Sequence, residues 1–224
     1  MTSDGDVHPA LNPQSIPDPG PAAPVAKSNQ AGQAIREIIE TLLLAALIFF
    51  LVRLVVLNFR VDGESMTPNL HNEEMLLVNR NAYRYVDVNG ADFYPFDPPS
   101  RGDVIVFDPP NRSDKPYIKR IIGLPGEHVT FGDGHVFIND QELDEDYIDQ
   151  RTRCGQRDTC DVIVPEGSVY VLGDNRGNSS DSRVFGPVPL DNIIGKAWIT
   201  YWPPSDIGFV PHRTYDGIAS AASP

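Results

Sequence analysis

Apolar positions are sparse from Met1 to Gln33, nearly continuous from Ile38 to Leu57, and short and alternating beyond Glu74. The continuous part lies in "IREIIETLLLAALIFFLVRLVVLNF", and between Ile38 and Leu57 only Glu40, Thr41 and Arg53 interrupt it. About 20 residues at about 1.5 Å each reach about 30 Å, the thickness of a bilayer core. Glu40 and Arg53 lie toward opposite ends, where long side chains can snorkel to the headgroups. The pattern predicts a single uncleaved membrane-spanning signal anchor over residues 35–58. A buried core helix is the alternative, but nothing helical comes after it to pack against. A cleavable signal peptide would start earlier and be shorter.

Beyond the anchor the runs are "EMLLVNR", "DVIVF", "YIKRII", "EHVTF", "HVFIND", "DVIVP", "SVYVLG" and "IIGKAWITYW". Their length and alternation read as strands, and "FGDGH" is a tight hairpin signal. "NGADFYPFDPPSRGD" and "FDPPNRSDKP" read as loops, and no fixed-period repeat is present. The expected fold is mainly β: antiparallel sheets over residues 59–212, hung from one N-terminal helix. Residues 1–34, rich in Pro, Gly, Ala and Ser, read as a disordered tail. Residues 213–224 read as a C-terminal tail.

Composition sharpens this picture. The 21 prolines and 18 glycines among 224 residues favour a turn-rich β domain over a helical one. The 31 acidic against 18 basic residues give a formal net charge of −13, which argues against nucleic acid as a partner. The basic residues flanking the span, Lys27 and Arg36 before it and Arg53 and Arg60 at its far end, barely decide its orientation. Cys154 and Cys160, in "RCGQRDTC", are the only cysteines. Such an isolated pair reads as a disulfide in an oxidising compartment, with two free thiols as the alternative. Two ligands alone make a poor zinc site. The disulfide reading places the C-terminal part outside the cell and the N-terminus in the cytoplasm.

Candidate chemistry begins just after the anchor, in "FRVDGESMTPNL". Gly63 permits an unusual backbone angle and Pro68 stiffens the chain beyond it, so Ser65 sits on a turn that could expose a nucleophile. The second glycine of the Gly-x-Ser-x-Gly elbow is missing. A nucleophilic serine needs a base. His8, His71, His128, His135 and His212 stand in no triad context and read as tail, loop or strand-edge residues. Lys119 is different. Lysine is scarce, with only Lys27, Lys115, Lys119 and Lys196, yet Lys119 lies inside the apolar run of Tyr117, Ile118, Ile121 and Ile122. Strand alternation puts Tyr117, Lys119 and Ile121 on one face. Burial there would lower the ordinary lysine pKa of about 10.4 and make a base; Arg120 cannot be tuned in this way. The alternative is a lysine on the solvated face of an edge strand.

A third stretch, "VLGDNRGNSSDSRVFGPV", runs from a strand into a polar loop. Its acidic residues do not fit EF-hand spacing. A hydroxyl there could orient the lysine amine, and Asp181 and Arg183 could pair to fix the loop.

Taken together, "GESMTPNL", "RGDVIVF", "YIKRIIGLPGE" and "GDNRGNSSDSR" resemble the motifs of the type I signal peptidase family, membrane-bound Ser/Lys proteases. The resemblance runs from the anchor to about Pro203. It implies Ser65 as nucleophile and Lys119 as general base. Ser179 would hydrogen-bond the lysine, with Asp181 and Arg183 as its supporting pair. It implies secretory pre-proteins bearing signal peptides as substrates, cut after small residues in Ala-x-Ala sites, and no cofactor or metal. Val61, Met66, Leu70, Tyr117 and Ile118 are the residues expected to line the subsites, with the substrate added as a strand. Membrane lipid is the other expected partner. The tether fits: Ser65 lies eight residues after Leu57, at most about 30 Å of chain.

Two positions depart from the family pattern. Gly63 stands where some members carry a serine whose hydroxyl serves the oxyanion hole, which leaves the backbone N–H of Ser65 as the expected donor. Asp62 stands where proline is frequent and would put an acid in the substrate groove. Two rivals fit less well. A self-cleaving Ser/Lys repressor would need a DNA-binding domain, and a catalytically silent anchored β domain leaves Ser65, Lys119 and Ser179 unexplained.

Overall fold

The computed structural model describes residues 30–83, 86–88, 91–93, 97–110, 113–154 and 157–215. Residues 1–29 of the expected tail, and 216–224 at the other end, lie outside them. Helix α1 spans Gln30–Val55, and its segment Gly32–Val55 is long and apolar enough to cross a membrane. It starts earlier than expected, because Gln and Ala propagate a helix that the apolar run has already nucleated. It also ends earlier. Val56–Arg60 form strand β1, which pairs antiparallel with β2 (Met75–Asn79) from Val56↔Asn79 to Arg60↔Met75. The end of the apolar run thus belongs to the sheet, whose ladder bonds satisfy its backbone.

The runs read as strands all form strands. After β3 (Val86–Val88) and β4 (Ala91–Phe93) come β5 (Val104–Phe107), β6 (Tyr117–Gly123), β7 (His128–Gly132), β8 (His135–Ile138) and β9 (Gln141–Glu142). Next come α2 (Arg157–Cys160), β10 (Asp161–Ile163), β11 (Ser168–Leu172), α3 (Ser182–Phe185), β12 (Val188–Pro189), β13 (Ile193–Trp202) and β14 (Gly208–Phe209). The β3–β4 pair falls partly in a stretch expected to be loop. All pairings are antiparallel. "FGDGH" makes the predicted hairpin, with Gly132 opposite His135 and both Asp133 and Gly134 at positive φ.

An eight-stranded sheet runs β1-β2-β13-β5-β6-β11-β12, with β14 on β13, and a four-stranded sheet runs β10-β7-β8-β9. Alternation along β6 divides its side chains between cores. Ile118 packs with Val61, Met66, Leu70 and Val106; Ile121, on the other face, packs with Ile105, Phe107 and Val171. Residues 213–215, the described part of the expected 213–224 tail, are bonded to the domain. Tyr215 packs on the core around Ile122 and Tyr170 and donates to Tyr147, and the Arg213 N–H donates to the Gly102 carbonyl.

Cys154 and Cys160 form a disulfide, with Cα atoms 5.8 Å apart. The loop it closes and the residue just before it are bonded to the α3 region: Arg183 Nη1 donates to the Arg153 carbonyl, and Thr159 Oγ1 to the Arg183 carbonyl.

Candidate active site

Ser65 sits half-buried on a turn that leaves β1 and returns to β2. Crossed bonds close the base of the turn: Val61 N–H to Glu74 O, and Glu73 N–H to Val61 O. Gly63 holds φ +96°, a conformation strained for any side chain, and its N–H donates to Asn72 Oδ1. After Ser65 the chain tightens into a helical turn, where Asn69 and Leu70 donate to the Met66 carbonyl.

Lys119 lies on β6, paired with Ile105 of β5, and only 4% of it is exposed. Its Nζ is 2.6 Å from Ser65 Oγ and 2.7 Å from the Ile118 carbonyl oxygen. Burial pushes the amine down to about 8; the carboxylates of Asp181 and Asp174 push weakly back. Desolvation wins because neither carboxylate bonds to the amine. The solvated-face alternative is thus excluded. An amine that sheds its proton at about pH 8, within hydrogen-bond reach of a serine hydroxyl, can in its neutral form take the hydroxyl proton.

The polar loop closes over this pair. Asp181 is fully buried, caps α3 and pairs with Arg183 through Nε–Oδ1 at 2.8 Å and Nη2–Oδ2 at 2.8 Å. Its Oδ2 also accepts from the Gly173 N–H. A side chain at Gly173 would meet Ser179 Oγ at 2.2 Å and the Ser65 carbonyl at 2.5 Å, so only glycine lets these segments meet. Ser179 differs from expectation. Its buried Oγ has no hydrogen-bond partner among the described residues, and Lys119 bonds to Ser65 and Ile118 instead. The hydroxyl, like the Ser65 carbonyl, lies against Gly173 and makes no bond to the amine.

A cleft of about 620 Å³ opens over the pair. One wall is Asn58 to Asp62 with Ser65 and Glu73; the other is Lys115 to Lys119, with Ser180. Val61, Tyr117 and Ile118 line it. Met66 and Leu70 do not: they are 0% and 2% exposed and pack beneath it in the core. The tight turn after Ser65 points them inward. Asp62 does line the cleft, but its charge is matched. Lys115 Nζ donates to Asp62 Oδ2 at 2.6 Å across the mouth, and this bond holds the carboxyl below its ordinary range. Arg60 and Glu73 form a second exposed pair there.

The walls share a further property. β1 is the last strand of its sheet, and β11 pairs with β6 only as far as Arg120. Among the described strands, β1 and the Tyr117–Lys119 part of β6 therefore each offer an unpaired edge. Facing edges of this kind accept an extended peptide.

Residues not singled out from the sequence complete the site. Asp174 and Arg120, both fully buried, form a two-pronged pair, and Asp174 also accepts from Asn69 Nδ2. Asn175 donates to Ser65 O, Glu64 O and Thr67 Oγ1. Both residues stand in the "GDN" motif, but nothing in the sequence assigned them partners. No histidine among the described residues lines the cleft, and His8 lies outside them. His212 is not a solvated loop residue: it accepts from Val104 N–H at Nδ1 and its Nε2 donates to the Ala197 carbonyl. Among the described residues, His71, Glu74 and Asp206 place ligand atoms within 4.8 Å of one another, but none of them lines the cleft.

Comparison with known proteins bears on the whole domain. The family described as "Signal peptidase, peptidase S26" matches residues 35–202. The signal peptidase I of Leptolyngbya laminosa is 38% identical over 202 residues, 86% of this chain and 92% of that protein. The probable signal peptidase I-1 of Synechocystis sp. is 37% identical, over 81% of this chain and 93% of its own. The crystal structure of a signal peptidase I from Enterococcus faecalis V583 is 38% identical, with a TM-score of 0.38 over 45% of this chain and 97% of that one. With a match that covers the anchor, the cleft and every motif around it, the chain belongs to the signal peptidase family, peptidase S26, and is a serine peptidase.

Proposed function

We propose that this chain removes N-terminal signal peptides from secreted pre-proteins, cutting after small residues, with Ser65 as nucleophile and Lys119 as general base. The observation that carries the reading is the 2.6 Å approach of the buried Lys119 amine to the Ser65 hydroxyl. The neutral amine takes the hydroxyl proton as Oγ attacks the scissile carbonyl. The resulting oxyanion faces the Ser65 N–H, which has no protein acceptor among the described residues. The ammonium then protonates the departing amine, which leaves an acyl-enzyme. Neutral again, Lys119 takes a proton from water, and the hydroxide releases the new carboxylate.

The extended substrate joins the open edges of β1 and β6. Val61, Tyr117 and Ile118, which line the cleft beside Ser65 and Lys119, are assigned as the walls of a pocket for the small residue before the scissile bond. The anchor holds the enzyme in the bilayer with its N-terminus cytoplasmic. The Cys154–Cys160 disulfide supports an extracytoplasmic domain. Exposed Trp198, Trp202, Ile207 and Phe209 support its contact with the headgroup layer.

A pre-protein with an Ala-x-Ala site, incubated with the detergent-solubilised chain, is expected to be cut once, after the second Ala. Trp in place of that Ala should lower kcat/KM at least about 100-fold. Mass spectrometry of the products reads both. Equal cleavage of the two substrates would refute the small-residue pocket.

Ser179 is assigned to hold the neutral amine, its unpartnered hydroxyl turning toward Lys119 as the base deprotonates. Ser179→Ala should then lower kcat by about 10–10³-fold, with KM little changed. It should raise the acidic limb of the pH–rate profile, because a bond to the neutral amine is lost. An unchanged rate and limb would make Ser179 a packing residue only.

A further inference from the structure

The oxyanion donor in this site is a backbone N–H, and Gly63 supplies no side-chain hydroxyl to share its work. The direction of the Ser65 N–H therefore matters more than it would in a hole built from side chains. That N–H belongs to the planar trans peptide joining Glu64 to Ser65, so it points opposite to the Glu64 carbonyl. Whatever fixes that carbonyl aims the N–H.

The groups that fix it are few. Thr67 donates to Glu64 O through its N–H at 3.3 Å and its Oγ1 at 3.0 Å, both from within the turn. Asn175 reaches the same oxygen from outside, its Nδ2 donating at 3.0 Å, and also donates to Thr67 Oγ1 at 2.9 Å. Its own backbone N–H donates to the Ser65 carbonyl at 3.0 Å. One residue thus holds the peptide planes on either side of Ser65. It is anchored in turn, because the neighbouring Asp174 is locked to buried Arg120, which comes directly after Lys119 on β6.

We propose that Asn175 is a positioning residue that aims the Ser65 N–H at the developing oxyanion and keeps the serine turn in register with β6. Asn175 touches neither the substrate nor the reacting atoms. The bonds to Glu64 O and Ser65 O exist before substrate arrives, so the hole is preorganised and little reorientation accompanies the reaction. The proposal rests on Ser65 being the nucleophile.

The test compares wild type, Asn175→Ala and Asn175→Asp as full chains in detergent, with Ser65→Ala alongside. Loss of the amide donor should lower kcat by about 10- to 100-fold, less than loss of the N–H itself, because a misaimed donor still binds weakly. KM should stay within about twofold, since ground-state binding lies along the strand edges. The acidic limb of Asn175→Ala should stay where it is in wild type, because Asn175 does not bond Lys119. A peptide boronate supplies a readout that a merely structural role would not move. Boron accepts the Ser65 Oγ lone pair, the hydroxyl proton passes to Lys119, and a boronate oxygen enters the hole. Its affinity should fall by the same factor as kcat/KM, whereas a non-reactive substrate peptide should bind as before. Asn175→Asp, close to isosteric, trades the donor for an acceptor. Measured above the acidic limb, where Lys119 is neutral in every protein, it should show the same loss and so guards against a misfolded alanine variant. Wild-type kcat in both variants would overturn the proposal, as would a loss confined to KM or a boronate affinity unchanged while kcat falls. Activity surviving in Ser65→Ala would instead overturn the nucleophile assignment.

Discussion

Lys119→Arg and Ser65→Ala are each expected to abolish signal-peptide cleavage, by at least about 10⁴-fold, while leaving the fold intact. Arginine keeps a positive charge and a similar length, but it cannot become a neutral base at any pH the protein survives. The wild-type profile carries the same argument. With its burial pushing the Lys119 amine down to about 8, kcat/KM should rise through about pH 8 to a plateau. The stability consequence has the same origin. From about pH 8 up to the ordinary value of 10.5, the unfolded chain holds more of this proton than the folded one, so stability rises with pH across that window. Below about pH 8 the full cost of burying the ammonium, about 3 kcal/mol, is present. Turnover by Lys119→Arg, or a profile flat between pH 6 and 10, would exclude lysine as the base.

Asp174→Ala should destabilise the chain by about 3–5 kcal/mol, read as a lower urea midpoint in detergent. Arg120 and Asp174 are both fully buried, and the guanidinium also donates to the Gly102 and Pro211 carbonyls and lies 4.6 Å from the Tyr147 ring centroid. Removing the carboxylate strands a charge that has no route to water. The exposed Asp62–Lys115 pair is the contrast, with side chains 71% and 74% exposed; Asp62→Ala should leave the midpoint nearly unmoved. The Asp174 variant should also shift catalysis. Its charge helps hold the Lys119 pKa up, so its loss should move the acidic limb to lower pH. An unchanged midpoint would show that water reaches Arg120.

Features set by local pattern were legible in the sequence. The β7–β8 hairpin announced itself because Asp133 and Gly134 suit positive φ, and β6 because Tyr117 to Ile122 alternate around a misplaced lysine. The Asp181–Arg183 pair was legible because the two residues are adjacent but one in sequence. Features set by distant partners were not. Arg120 and Asp174 are fifty-four residues apart, and nothing in either stretch named the other. Met66 and Leu70 lie close enough after Ser65 to look like subsite walls, yet a helical turn directs them into the core. Val56 and Leu57 continue the anchor's apolar run without a break, and only the β2 edge, far along the chain, draws them into a strand.

That junction limits how the anchor can be cut away. The last helical residue, Val55, accepts from the Arg80 N–H at 2.9 Å, so its carbonyl already belongs to the β1–β2 ladder. The next residues enter the strand that leads straight into the cleft wall. A soluble fragment beginning at Val56 would place a charged, fraying chain terminus on that wall and lose the ladder's first bond. Trimming meant to improve handling would then erode substrate binding before it touched Ser65 or Lys119. Fragments that keep a few residues ahead of Val55 retain the wall, at the cost of an apolar stub that needs detergent. Solubility and a complete cleft compete for the same few residues.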